Sequence, residues 1–274
     1  AGREHDQAVA GAMAAGTIRR PVRLKLDTTS PTYETYFNGP AGGQKAMYKP
    51  ELHESDAYHF MDPSMRKDYM NGDTPLTTRE YAAYVVDRYL GTNLVPTVTV
   101  GDHGRGPGSV MAWAQGSTSG VVPSEKETER LALFDLVIGH LDRHGGNYLR
   151  QPDGKVVAID NGLAFPKSSK AMVVRSMPAV RTWQDQGTRP FNQETRAFID
   201  KLDADELGDV MRQAGIGEDE IQATAIRVGT MKRAKSWTDL SRSFGSRDVV
   251  RRYNPLNGQI ERSPHEGFML PWDG

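Results

Sequence analysis

Two neighbouring stretches decide how this chain folds. They are His140-Leu141-Asp142-Arg143-His144-Gly145-Gly146-Asn147-Tyr148-Leu149 and Val156-Val157-Ala158-Ile159-Asp160-Asn161-Gly162-Leu163-Ala164-Phe165-Pro166. Between them, Gln151-Pro152-Asp153-Gly154 has the composition of a tight hairpin turn. Asn147 and Asp160 are therefore expected on opposite arms of one hairpin, close enough to share a cation. Alone, Asp-Arg-His reads as a surface turn and Asp-Asn-Gly as a type I′ turn. Their occurrence together, in this order and across a short hairpin, is what points to chemistry.

Working outward, residues 21–50 read as strands and turns. Val22, Leu24 and Leu26 alternate with charged residues, Tyr33 to Phe37 is β-prone, and a Gly-rich turn leads to a strand at residues 45–49. Residues 61–74 read as a loop. Thr77 and Thr78 then offer an N-cap for a helix that stops at Gly91. Two more strands are expected at 95–100 and 109–114. Downstream the character becomes helical. Ser124 with Glu127 fits a capping box before a buried face of Leu131, Phe134, Leu136, Val137 and Ile138. A loop-rich stretch is expected after Pro166, then helices near 193–202, 204–213 and 218–235. The whole reads as α+β in two lobes, strand-rich first and helical second. The boundaries are a 1–20 N-terminal extension, a first lobe over 21–116 and a second over 117–274.

Composition closes off several classes of function. The chain has 274 residues, 34 basic against 35 acidic, so nothing in its charge suggests wholesale nucleic-acid binding. It has no cysteine, which excludes a disulfide framework, a thiolate zinc site and a cysteine nucleophile. No apolar run is long enough to span a bilayer. The Ala-rich start is broken by Arg3, Glu4, His5 and Asp6, so it reads as a short amphipathic or frayed helix rather than a signal peptide. These features lead us to expect a cytoplasmic protein or one delivered into a host cell, with peripheral membrane contact left open. Neither a P-loop nor a Gly-x-Gly-x-x-Gly motif after a strand occurs.

Phosphoryl transfer needs a group to orient the incoming hydroxyl, hard oxygen ligands for Mg²⁺ and cations to hold the phosphates. An Asp, an Asn five residues on and an Asp past a hairpin supply the first two. Asp-Arg-His-x-x-Asn resembles the catalytic loop of the phosphatidylinositol 3-/4-kinase superfamily. Ile159 to Pro166 looks in particular like the metal-binding segment of type II phosphatidylinositol 4-kinases and their bacterial relatives.

That resemblance implies a two-lobed, protein-kinase-like fold using ATP and Mg²⁺. It implies Asp142 as the catalytic aspartate, with Asn147 and Asp160 as metal ligands and His144 positioning or deprotonating the acceptor. Ala46-Met47-Tyr48-Lys49-Pro50 is similar to the family's strand ending in the ATP-binding lysine, so Lys49 would contact the α-phosphate and Glu80 would pair with it. The phosphate-covering loop would fall at Thr28 to Tyr33, including Ser30, where hydroxyls are present but glycine is not. Met111 to Gly116, with Ala114 and Gln115, falls where the adenine-contacting hinge would be. Lys167, Lys170, Arg175 and Arg181 make the following segment all-basic among its charged residues, as an anionic headgroup would require.

Two acceptors are consistent with these parts. A phosphoinositide acceptor is favoured by the Asp160 segment and the basic stretch after it, although there is no cysteine to acylate as a membrane anchor. A protein acceptor is the alternative, as in a bacterial effector or toxin domain on the same scaffold. A pseudokinase is disfavoured, because Lys49, Asp142, Asn147 and Asp160 are all present.

Overall fold

The structure is a computed structural model that describes residues 2–24, 31–54, 74–114, 116, 123–167 and 176–244, with the backbone of two short paired strands at 253–254 and 259–260. Among the described residues, its first half is a five-stranded antiparallel sheet flanked by two helices. The strands are β1 (Val22–Arg23), β2 (Tyr33–Gly39), β3 (Gly42–Pro50), β4 (Val98–Asp102) and β5 (Pro107–Ala112), in the order β1-β2-β3-β5-β4. Period-two burial decides what each face does. Along β3, Ala46, Tyr48 and Pro50 are buried, while Lys45, Met47 and Lys49 alternate with them on the opposite face.

Helix α1 (Gly2–Ala14) covers the first of these faces. Its Val9 and Met13 join Tyr33, Phe37, Ala46, Tyr48 and Val110 in a small apolar cluster. The buried His103 pins it there, donating from Nε2 to the Met13 carbonyl at 2.7 Å while Nδ1 accepts from the Thr35 hydroxyl at 2.8 Å. The short amphipathic helix read from the sequence is thus docked on the sheet.

Helix α2 (Leu76–Leu90) packs against β4 and β5 and ends, as expected, at Gly91 in the left-handed conformation (φ 69°). Its start differs from the reading in which Thr77 or Thr78 was the cap. Pro75 occupies the N-cap, and both threonines lie inside the first turn. The orphan N–H groups of Leu76 and Thr77 are instead taken by the Glu54 carboxylate, at 2.8 and 2.7 Å. A cap supplied from 22 residues upstream leaves no local sequence signature.

The second half is helical: α3 (Glu125–Ile138), a hairpin of β6 (Tyr148–Arg150) and β7 (Val156–Ala158), then α4 (Met177–Gln186), α5 (Gln193–Lys201), α6 (Ala204–Gln213), α7 (Glu218–Arg233) and α8 (Trp237–Phe244). The capping box at the start of α3 is complete. The α+β, two-lobed, kinase-like reading holds. Helix α4 falls where the sequence reads as loop. It buries Ala179 and Trp183, one turn apart, behind a Ser176 cap, too little periodicity to stand out from the polar residues around it. The main core runs from Leu94, Val98 and Met111 through α3 to Trp237 and Phe244, so it spans both halves.

Candidate active site

The site is assembled at the seam between sheet and helices, around the β6–β7 hairpin. Helix α3 stops at Gly139 (φ 63°), and the chain turns into a loop whose backbone is tied to the segment following β7. Leu141 N–H donates to the Leu163 carbonyl at 3.3 Å, Phe165 N–H to Ile138 at 2.7 Å and Ile159 N–H to Asn147 at 3.0 Å. Asn147 and Asp160 therefore sit at the same end of the hairpin, as its turn composition implied. Asp160 has φ 57°, a left-handed conformation that Asp tolerates better than most side chains, and Phe165 has φ 51°. Each such residue costs about 1–2 kcal/mol, so the segment is held by its surroundings rather than by its own preference.

Three side chains from distant parts of the chain converge here. Lys49 Nζ, on the open face of β3, lies 2.5 Å from Asp160 Oδ1 and 3.7 Å from Glu80 Oε2. Glu80 is buried in α2 and also accepts from Asn161, through its backbone N–H at 2.9 Å and its side-chain amide at 3.3 Å. Burial works against the Lys49 ammonium, but Asp160 and Glu80 outweigh it and hold its pKa above the ordinary lysine value. Burial likewise works to raise the Asp160 carboxyl, and Lys49 outweighs it, holding it below the usual range. Both groups are charged near neutrality. Asp160 nonetheless keeps 45% of its side chain exposed, so it remains accessible to solvent.

Asn147 Nδ2 donates to the Asp142 carbonyl at 2.7 Å, which leaves Oδ1 as the accepting end of the amide. Among the described residues there is no cluster of three or more His, Cys, Asp or Glu side chains able to cage a metal. A carboxylate and an amide oxygen do fit Mg²⁺, which characteristically takes one or two protein oxygens and completes its shell with water and substrate phosphates.

Burial holds both histidines of the loop neutral. His140 is fully buried, accepting from Asp142 N–H on Nδ1 (3.1 Å) and donating from Nε2 to the Asp160 carbonyl (3.0 Å). It is a packed, hydrogen-bonded residue. Burial drives its pKa well below the usual value, assisted by Arg143. His144 accepts from Gly146 N–H on Nδ1 at 2.9 Å, so its neutral ring carries the proton on Nε2. Burial lowers its pKa to about 4.

Because an unfolded histidine titrates near 6.5, both rings favour the folded state above that pH, and this contribution is lost as the pH falls. For His144 the loss runs from about 6.5 towards about 4. The melting temperature is expected to drop between pH 7 and pH 5, and to drop less in His144→Gln. An identical slope in that variant would contradict the assignment.

Several contacts that matter here carried no sequence signal. Arg143, fully buried, donates to Asp135 (3.0 Å), to the carbonyls of Asn147 and Ile159 (2.8 Å each) and to Asn161 Oδ1 (2.6 Å). It thereby ties the Asp142 loop to the Asp160 segment. Asp135 in turn accepts from Ser176, the cap of α4, at 2.7 Å. Ala114 is half-buried just beyond β5, next to Trp113, whose ring lies 3.6 Å under Lys45 Nζ. Ser30, Gln115, Lys170 and Arg175 lie outside the described residues.

Residues 125–217 match the family model for phosphatidylinositol 3- and 4-kinase. The matched segment contains Asp142, Asn147 and Asp160 but not Lys49 or Glu80. Similar curated proteins include phosphatidylinositol 4-kinase gamma 4 of Oryza sativa subsp. japonica, 28% identical over 53% of this chain and 26% of that protein. Phosphatidylinositol 4-kinase type 2-beta of Gallus gallus is 34% identical over 27% of this chain and 20% of that protein. Protein Rv2133c of Mycobacterium tuberculosis is 25% identical over 68% of this chain and 73% of that protein. The chain thus spans only about a fifth to a quarter of the rice and chicken relatives. Together these matches support the superfamily reading and, with it, a phosphotransferase. No helix among the described residues is long and apolar enough to cross a membrane.

Proposed function

We propose that this member of the phosphatidylinositol 3-/4-kinase superfamily transfers the γ-phosphate of ATP to the hydroxyl of a phosphoinositide. The observation that carries the reading is the convergence of Lys49, Glu80 and Asp160 beside the Asn147 amide. A half-buried lysine, kept charged between the buried Glu80 carboxylate and the part-exposed Asp160 carboxylate, presents a fixed cation at the edge of solvent. It has a clear purpose beside a polyphosphate, where a fixed cation stabilises charge as it develops.

In this reading Lys49 contacts the α-phosphate and Glu80 holds it in place. Asn147 Oδ1 and the Asp160 carboxylate are the oxygens that would hold Mg²⁺, which when bound neutralises phosphate charge. Asp142 orients the acceptor hydroxyl in line with the γ-phosphate. His144 presents an Nε2–H, so it supports a positioning role and not proton abstraction. Ala114 lies at the adenine end and the lobes divide at residue 116, while Ser30 and Gln115 keep the phosphate-loop and hinge roles that the resemblance implies for them.

The phosphoinositide acceptor draws on the likeness of the Asp160 segment to phosphatidylinositol 4-kinases and on the basic residues that follow it. It is tested by incubating the chain with γ-labelled ATP, Mg²⁺, added cell protein and vesicles of phosphatidylcholine with or without phosphatidylinositol. Label should enter the solvent-extractable lipid only when phosphatidylinositol is present. Label in protein alone would replace the lipid acceptor with a protein hydroxyl.

A further inference from the structure

We propose that Arg79 is a positioning residue for the phosphotransfer site, fastening the far end of the Asp160 segment to the helix that carries Glu80. The proposal rests on the phosphotransfer reading and extends it to a residue that acts through that segment rather than on the nucleotide.

Arg79 and Glu80 are successive residues of α2, yet they grip one short segment at its two ends. Glu80 takes the N–H of Asn161 at the start. Arg79 donates from Nη1 to the Ala164 carbonyl at 3.0 Å and, closely, to that of Phe165 at the finish. Its Nε donates to the Thr74 carbonyl at 3.2 Å, just ahead of α2, and its Nη2 to Glu220 Oε1 at 2.7 Å. Arg79 is fully buried and Glu220 is 2% exposed. Glu220 lies in the first turn of α7, where the helix end favours a carboxylate. One planar fork thus joins α2, the Asp160 segment and α7, a geometry that an ammonium group cannot reproduce.

Phe165, whose carbonyl Arg79 holds, is one of the two left-handed residues of the segment. Such a conformation persists only where neighbouring contacts over-determine it. Without the fork, the segment can relax towards ordinary backbone geometry. Asp160, at its other end, then shifts relative to Lys49 and Asn147. Metal-dependent nucleotide binding should suffer, while binding that relies on Lys49 alone should not.

Calorimetric titration of the full chain with the non-hydrolysable analogue adenylyl imidodiphosphate, with and without MgCl₂, tests this. Arg79→Lys is expected to cut the Mg²⁺-dependent gain in affinity by about tenfold or more, as outer-shell partners of metal sites typically do. Affinity without metal should stay within about threefold of wild type, and Glu220→Gln should move in the same direction by a smaller factor. Should Arg79→Lys fail to fold, Glu220→Gln decides. An undiminished gain in the folded variants, or a fall in both affinities together, would overturn the proposal. Asp160→Asn separates the two levels. If it keeps the wild-type gain, or if wild type shows none, the phosphotransfer reading itself fails.

Discussion

Asp160→Asn is expected to lower the rate of phosphoryl transfer by about a thousandfold while leaving the chain folded. The substitution removes charge and little else. Asn has the same shape, and it is among the side chains that tolerate the left-handed conformation found here (φ 57°). The Asp160 carbonyl can still accept from His140, and Asn161 can still bond Glu80, because those contacts are made by backbone or by a neighbour. What disappears is the carboxylate 2.5 Å from Lys49 Nζ and the hard anionic ligand it would offer to Mg²⁺. Steady-state kcat measured beside a melting curve checks both halves of the expectation. A folded variant that keeps more than a tenth of the wild-type rate would contradict the role given to Asp160.

Arg143→Met is expected to destabilise the fold by about 3–5 kcal/mol, enough to unfold a marginal domain. The reason is not that the Arg143–Asp135 pair is strongly favourable. Burial pushes the Asp135 carboxyl above its ordinary value even with the guanidinium and the Ser176 hydroxyl beside it, so desolvation outweighs attraction. Removing the arginine alone strands Asp135 at 2% exposure, together with the Asn147 and Ile159 carbonyls and Asn161 Oδ1. An orphaned buried charge is the costly state. Asp135→Asn added to Arg143→Met should therefore recover part of the loss. Urea midpoints for the single and double variants measure this. A single-variant loss below about 1 kcal/mol would show that the hub is not structural.

The two-lobed fold and the hairpin were legible because their signals are local. Pro152-Asp153-Gly154 specifies a turn, β3 alternates with period two, and Ser124 and Glu127 announce a helix. The pairing of Lys49 with Glu80, about thirty residues apart, was legible only through resemblance, since no periodicity links a strand end to a helix interior. The burial of two arginines was not legible. Arg79 looks like any charged residue, and Arg143 entered only as part of the Asp-Arg-His-x-x-Asn motif; their burial depends on carbonyls and carboxylates that topology brings from 85 residues away or across the hairpin. Glu54 capping α2 from a distance belongs to the same class. Helix α4 was missed because a short element beside a large neighbour needs few apolar positions, whereas α8 carries Trp237, Leu240 and Phe244 at i, i+3 and i+7, a helical spacing that the sequence did show.

The measurement that bears most directly on the phosphotransferase assignment is transfer of labelled γ-phosphate from ATP by the purified chain. It would be run with vesicles and cell protein as acceptors, with and without Mg²⁺, beside Asp160→Asn. The account requires label to leave ATP for an acceptor only in the wild-type chain with Mg²⁺ present. Label that stays on ATP under all conditions, or that moves equally well in the variant, would contradict it.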